Sequence, residues 1–115
     1  MDGEISTAAV RERLDDDDPP RIVDIRQPAA FARGHIPESE NVPFATLPDR
    51  VEELAGADHI VTVCPHGKAS VQAARLIGSY EGTADATVES MAGGLAAWDG
   101  PLDAASGGAQ SDAPF

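Results

Sequence analysis

His59-Ile60-Val61-Thr62-Val63-Cys64-Pro65-His66-Gly67-Lys68-Ala69-Ser70 is the stretch on which the fold turns. His59 to Val63 is a near-continuous apolar run of strand length, the pattern of a strand buried on both faces. Pro65 and Gly67 break the chain after Cys64, and Val71, Ala74, Ile77 and Gly78 then recur along one side of a helix. A buried strand that runs through a short loop into a helix is half of a βαβ unit. Its neighbours are therefore expected to be parallel strands with helices between them.

Outward from this stretch the alternation continues. Arg21 to Ile25 reads as a short buried strand, with Ile22, Val23 and Ile25 apolar and Asp24 near its carboxyl end. Asn41-Val42-Pro43 reads as a very short extended piece, and Ala86 to Ser90 as another strand. Ser6 stands as the N-cap of a helix with Val10 and Leu14 on one face. Thr46 opens a second helix, with Asp49 three residues on in a capping-box arrangement and Leu47, Val51, Leu54 and Ala55 along one side. Gly34-His35-Ile36-Pro37 reads as a turn, and Gly93 to Trp98 as a last short helical turn. The pattern predicts one α/β domain over residues 1–102, a parallel sheet with helices on both faces. Residues 103–115, rich in Ala, Ser, Gly and Asp, are expected to be a disordered tail.

A chain of 115 residues holds one ordinary domain, and 42% apolar residues suffice for one core. With aromatics at 4%, small aliphatic side chains must fill much of it. No apolar run is long enough to span a bilayer, and the start, Met1 to Ile5, is acidic, so neither signal peptide nor membrane anchor is expected. A single cysteine has no internal disulfide partner, which fits a reducing compartment, and a cytoplasmic location is expected. Twenty acids against eight bases give a formal net charge of -12, the wrong sign for nucleic acid or an anionic membrane. The one lysine is Lys68; the other bases are arginines. Acid-rich, lysine-poor composition suits a halophilic setting, because the Debye length shrinks to ~3 Å near 1 M salt and crowded carboxylates stop repelling strongly. The four aspartates Asp15 to Asp18, followed by Pro19 and Pro20, read as a solvated loop.

In parallel sheets, ligands bind beyond the carboxyl ends of strands, which points to Asp24 to Arg26 and to Cys64 to Ser70. Gly67 lets the second segment curl so that successive N–H groups can face inward as an anion-binding nest at a helix N-terminus. A thiolate there should have its pKa lowered from about 8.5, and Lys68 or a protonated His66 would act in the same direction. Cys64 alone is equally readable as a small buried hydrophobe at a strand end. Lys68 favours the chemical reading, since the chain's single lysine lies four residues after its single cysteine, yet a solvated loop lysine is the plain alternative. His66 is a hydrogen-bond donor or a bystander, and Ser70 a helix-cap hydroxyl, a donor to bound sulfur, or both. One cysteine and three scattered histidines lack metal-ligand spacing, no nucleotide loop is present, and no cofactor is expected.

Three segments together resemble the rhodanese family over about residues 4–100. They are Ile22-Val23-Asp24-Ile25-Arg26 continuing to Phe31, Gly34-His35-Ile36-Pro37 and Asn41-Val42-Pro43; the loop Cys64 to Ser70, with cysteine first, glycine fourth and serine seventh; and Gly93-Gly94-Leu95-Ala96-Ala97-Trp98. The resemblance implies a five-stranded, mainly parallel sheet flanked by helices. It also implies a sulfurtransferase in which Cys64 takes sulfane sulfur from a small anionic donor such as thiosulfate and passes it, as a persulfide, to a thiol, a protein acceptor or cyanide. Pro65, His66, Gly67, Lys68, Ala69 and Ser70 would then surround the donor. Asp24, Arg26 and His35 would support the fold, and Trp98 would pack the domain's end. Cys64→Ala is expected to stop persulfide formation without harming the fold, the side chain being placed at the loop's mouth. The alternative is a non-catalytic interaction or sulfur-carrier module. One departure stands out: many members carry arginine at the loop's sixth position, where this chain has Ala69, which weakens the expectation for thiosulfate. Phosphatase relatives need a longer loop with arginine six positions after the cysteine; Ser70 occupies that position, which argues against phosphatase chemistry.

Overall fold

A computed structural model of the chain describes residues 2–104. Five strands form one sheet, β1 (Glu4–Ile5), β2 (Arg21–Asp24), β3 (Glu40–Asn41), β4 (His59–Val63) and β5 (Thr87–Met91), in the order β1-β5-β4-β2-β3 with every pairing parallel. The helices are α1 (Thr7–Arg13), α2 (Pro28–Arg33), α3 (Leu47–Arg50) and α4 (Ala69–Gly78), with 3-10 turns at Phe44–Thr46, Val51–Leu54, Glu81–Thr83 and Leu95–Ala97. This is the α/β architecture that the alternation implied.

β4 lies at the centre, paired with β2 on one side and β5 on the other. Its side chains alternate between two cores, as the period of two in a strand requires. Ile60 and Cys64 join Val23, Val88, Leu47, Leu54, Ala73, Ala74 and Ile77 on the face covered by α3 and α4. Val61 and Val63 join Ile5, Val10, Ile22, Ile36, Met91 and Trp98 on the other face. Each fully buried aliphatic side chain stabilises the fold by about 1.5–3 kcal/mol relative to exposure. Trp98 closes the second core, and its ring N–H donates to the Pro101 carbonyl at 3.0 Å.

Several local expectations need correction. Thr46 does stand at the N-cap position of α3, but without the expected capping bond: its backbone is already helical, and its hydroxyl donates back to the Pro43 carbonyl. Along α4 the buried stripe is Ser70, Ala73, Ala74 and Ile77, with Val71 off to one side. Gly34 to Pro37 follows a helix, α2, that buries no residue and so left no apolar pattern to read. At the end of the domain, Asp103 bridges His35 through paired backbone hydrogen bonds of 2.9 and 2.8 Å. Residues 105–115, most of the expected tail, lie outside the described residues. No helix among the described residues is long and apolar enough to cross a membrane.

Candidate active site

β4 ends at Val63, and the chain turns at once into a loop whose backbone wraps the next side chain. The Cys64 sulfur accepts hydrogen bonds from the Gly67 amide at 3.0 Å and the Ser70 amide at 3.3 Å. The Ser70 hydroxyl oxygen lies 3.2 Å from the same sulfur. In the thiol form the S–H donates to that oxygen; in the thiolate form the hydroxyl donates to sulfur. Gly67 adopts φ 82°, in the left-handed region where a side chain is strained, and this turns its N–H inward.

The loop keeps this shape because a second glycine turn packs on it. Leu95 N–H donates to the Cys64 carbonyl at 2.9 Å and Ala96 N–H to the Pro65 carbonyl at 2.9 Å, so the loop's carbonyls are held away from the sulfur. A Cβ on Gly94 would lie 2.6 Å from the amide nitrogens of both His66 and Gly67, and one on Gly67 would lie 2.7 Å from the Gly93 nitrogen. Two backbones meet here with no room for a side chain. The sequence shows the Gly-Gly pair but not this contact, which joins positions some thirty residues apart.

Burial pushes the Cys64 thiol up. Against it, the Ser70 hydroxyl and the amides of Ser70, His66 and Gly67 act together, and the thiol settles below its ordinary value. The expectation that the Lys68 and His66 side chains do this work needs correction. His66 acts through its main-chain N–H, and neither side chain is among the groups that lower the thiol. The side chains of Pro65, His66 and Lys68 face solvent, while Ala69 is half-buried against the core. Ser70 is no helix cap; it lies in the first turn of α4 and is fully buried. Nor does Cys64 sit at the loop's mouth. The residue is 2% exposed, because the amides that stabilise its sulfur also cover it.

Two residues join the site that motif reading did not single out. Thr62 and Ser90 are partners across β4 and β5, both on the α4 side of the sheet and both fully buried. The Thr62 hydroxyl donates to the Ser70 carbonyl at 2.7 Å, fixing the start of α4 on β4, and the Ser90 hydroxyl lies 2.7 Å from the Ser70 hydroxyl. The signal available was a hydroxyl flanked by apolar residues in each strand, Thr62 between Val61 and Val63 and Ser90 beside Met91, on the face predicted to meet a helix.

The second sequence-selected segment builds a brace. Asp24, 1% exposed, accepts a two-pronged ion pair from Arg26, with the shortest contact 2.8 Å, and Arg26 also donates to the Gly34 carbonyl at 2.7 Å. An unpaired carboxylate at that depth would cost several kcal/mol. Asp24 pairs in register with Val63, so the brace fixes the strand end from which Cys64 departs. His35 stacks on Phe31 with centroids 3.9 Å apart, and its Nδ1–H donates to the Phe31 carbonyl at 2.8 Å. These bonds hold α2 and its exit and do not reach the sulfur. A separate cleft of about 340 Å³, lined among others by Arg11, Leu14, Pro19, Pro20 and Pro101, shares no residue with the cysteine loop. Among the described residues, no cluster of His, Cys, Asp or Glu is arranged to hold a metal.

The central strand of a parallel α/β sheet thus delivers one buried thiol to two main-chain amides and a hydroxyl. The chain belongs to the rhodanese-like domain family, whose profile matches residues 6–100. It is 39% identical over 95 residues to a thiosulfate sulfurtransferase of Pseudoalteromonas translucida, covering 83% of this chain and 87% of that one. It is 34% identical over 99 residues to a sulfurtransferase of Allochromatium vinosum, covering 85% and 89%. Its fold superposes with a TM-score of 0.75 on a rhodanese-like domain protein from Staphylococcus aureus, 25% identical, covering 92% of this chain and all of that one.

Proposed function

We propose that the chain is a rhodanese-type sulfurtransferase that carries sulfane sulfur on Cys64. The observation that carries this reading is the set of three donors, the Gly67 and Ser70 amides and the Ser70 hydroxyl, around one sulfur. The Cys64 thiolate attacks the outer sulfur of a donor such as thiosulfate. The S–S bond breaks, sulfite leaves with the electron pair, and a Cys64 persulfide anion remains. An acceptor thiolate then attacks the outer sulfur, and the cysteine leaves as the thiolate from which the cycle began. Both intermediates are anions, and amides fixed in advance stabilise each without reorganisation. The thiosulfate relative named above supports the choice of donor. Ala69, which offers no cation where many members have arginine, counts against rapid use of it.

The direct test is mass spectrometry of the protein incubated with thiosulfate in molar KCl. One added sulfur on Cys64 is the expected result. A protein that gains none from thiosulfate, polysulfide or a small-molecule persulfide would be the alternative, an interaction module on a rhodanese fold. The burial of Cys64 is the observation that favours that alternative.

Lys68 acts in this scheme on the incoming donor and not on the thiol, because its exposed side chain is absent from the groups that lower Cys64. Lys68→Glu is therefore expected to raise the thiosulfate KM by about threefold to tenfold at low ionic strength, an effect that fades in molar salt. The pH dependence of Cys64 alkylation should stay as in the parent. Equal KM values at low salt would make Lys68 a bystander.

A further inference from the structure

Ser90 lies behind Ser70, away from the loop, and its place in the site follows from counting protons. Among the described residues its hydroxyl has one hydrogen-bond partner, the Ser70 hydroxyl at 2.7 Å, and the residue is fully buried. With the sulfur as a thiol, the row Ser90–Ser70–Cys64 has three protons for two contacts, so in every arrangement one of them, that of Ser90, Ser70 or the S–H, points at nothing. If the sulfur is an anion, Ser90 donates to Ser70 and Ser70 donates to sulfur, and every proton has an acceptor. A buried donor left without a partner is costly, so the row is complete only when sulfur carries the charge. Hydrogen bonds in such a row also strengthen one another.

We propose that Ser90 is a positioning residue for Cys64: it orients the Ser70 hydroxyl to donate toward sulfur and so favours the thiolate and persulfide over the thiol. The register supports the assignment, since Ser90 pairs with Thr62, whose own hydroxyl holds the Ser70 carbonyl at 2.7 Å. One side chain thus fixes the Ser70 backbone and the other its hydroxyl. The charged and titratable groups on the surrounding elements are His66 and Lys68 on the loop, Arg75 on α4, Arg21 and Asp24 on β2, His59 on β4 and Glu89 on β5. Arg21 is paired with Glu40, Asp24 with Arg26 and Glu89 with His59, and none of these side chains is hydrogen-bonded to the sulfur. The neutral hydroxyl row is therefore the side-chain route to the sulfur.

This inference rests on Cys64 working as an anion, and its test reads that property without requiring sulfur transfer. The rate of Cys64 alkylation by iodoacetamide is followed against pH in the full chain, where the single cysteine makes the signal unambiguous. Ser90→Ala is expected to raise the midpoint by about 0.5–1 pH unit, the scale of one charge-assisted hydrogen bond. Ser70→Ala is expected to raise it further, and the double variant to match Ser70→Ala alone, because Ser90 acts only through Ser70. Ser90→Thr, which keeps the hydroxyl, should hold the parent midpoint. A Ser90→Ala midpoint equal to the parent's would overturn the proposal. So would the same shift in both backgrounds, the mark of a merely structural residue, or a Ser90→Thr midpoint as high as that of Ser90→Ala. If the midpoints move as described while no donor loads sulfur, the transfer reading fails and the Ser90 assignment stands.

Discussion

Cys64→Ala, incubated with thiosulfate under conditions that load the parent, takes up no sulfur detectable by mass spectrometry. The chain has no second cysteine to accept it, so the loss is complete and not partial. The structure changes the expected side effect. Because Cys64 is 2% exposed and its sulfur satisfies two amides, truncation leaves a small void and two N–H groups short of an acceptor. The cost is about 1–3 kcal/mol, which lowers the melting temperature by about 5–15 °C in a domain of this size. The variant still folds, because the two cores remain intact. Sulfur retained on Cys64→Ala would place the chemistry elsewhere.

The second large effect comes from a residue that never touches the sulfur. Gly94 adopts φ 62° and ψ -163°, a region essentially confined to glycine, and a Cβ there would press on the amide nitrogens of His66 and Gly67. Alanine has to push the loop outward, and the amides lose their aim on Cys64. Gly94→Ala is expected to slow sulfur loading by about a hundredfold, the scale attached to displacement of reacting groups by about 1 Å. Single-turnover loading followed by mass spectrometry measures it. Alkylation should shift toward higher pH in the same variant, since the amides that lower the thiol are the groups displaced. Loading at the parent rate would show that the Gly-Gly turn does not shape the loop.

Much of the fold could be read from local pattern. β4 shows itself as a near-continuous apolar run and β2 as a short one around Ile22, Val23 and Ile25, and Ser6 caps α1 by accepting from the Ala9 amide at 3.1 Å. What escaped was non-local or lacked an apolar face. β1 is two residues long and exists only because β5 lies beside it to pair with. α2 buries nothing, and its one local mark is Pro28 in the first turn. At the site, the loop from Cys64 to Ser70 could be located from strand, glycine and helix, and its amides do face the sulfur. Lys68 and His66 are the loop's conspicuous basic residues, yet the stabilising groups are main-chain amides and a serine hydroxyl, which composition cannot distinguish from a solvated loop. Ser90 and Gly94 reach the site only through contacts between β4, β5 and the turn after β5, and such pairings are not written in any single segment.

A ring of amides and one hydroxyl makes a buried sulfur more acidic than a free cysteine. For a group whose folded value is the lower one, the unfolded chain keeps its proton through the interval in which the folded chain has lost it. The added stability therefore appears as pH rises through the folded value and is complete above the unfolded value of about 8.5. Below the folded value it is gone. The most direct measurement is the rate of Cys64 alkylation across pH in the parent protein. A midpoint clearly below about 8.5, lost when urea unfolds the chain, is the predicted result. A folded midpoint at or above that of the unfolded chain would mean that burial outweighs the amides, and would contradict the account.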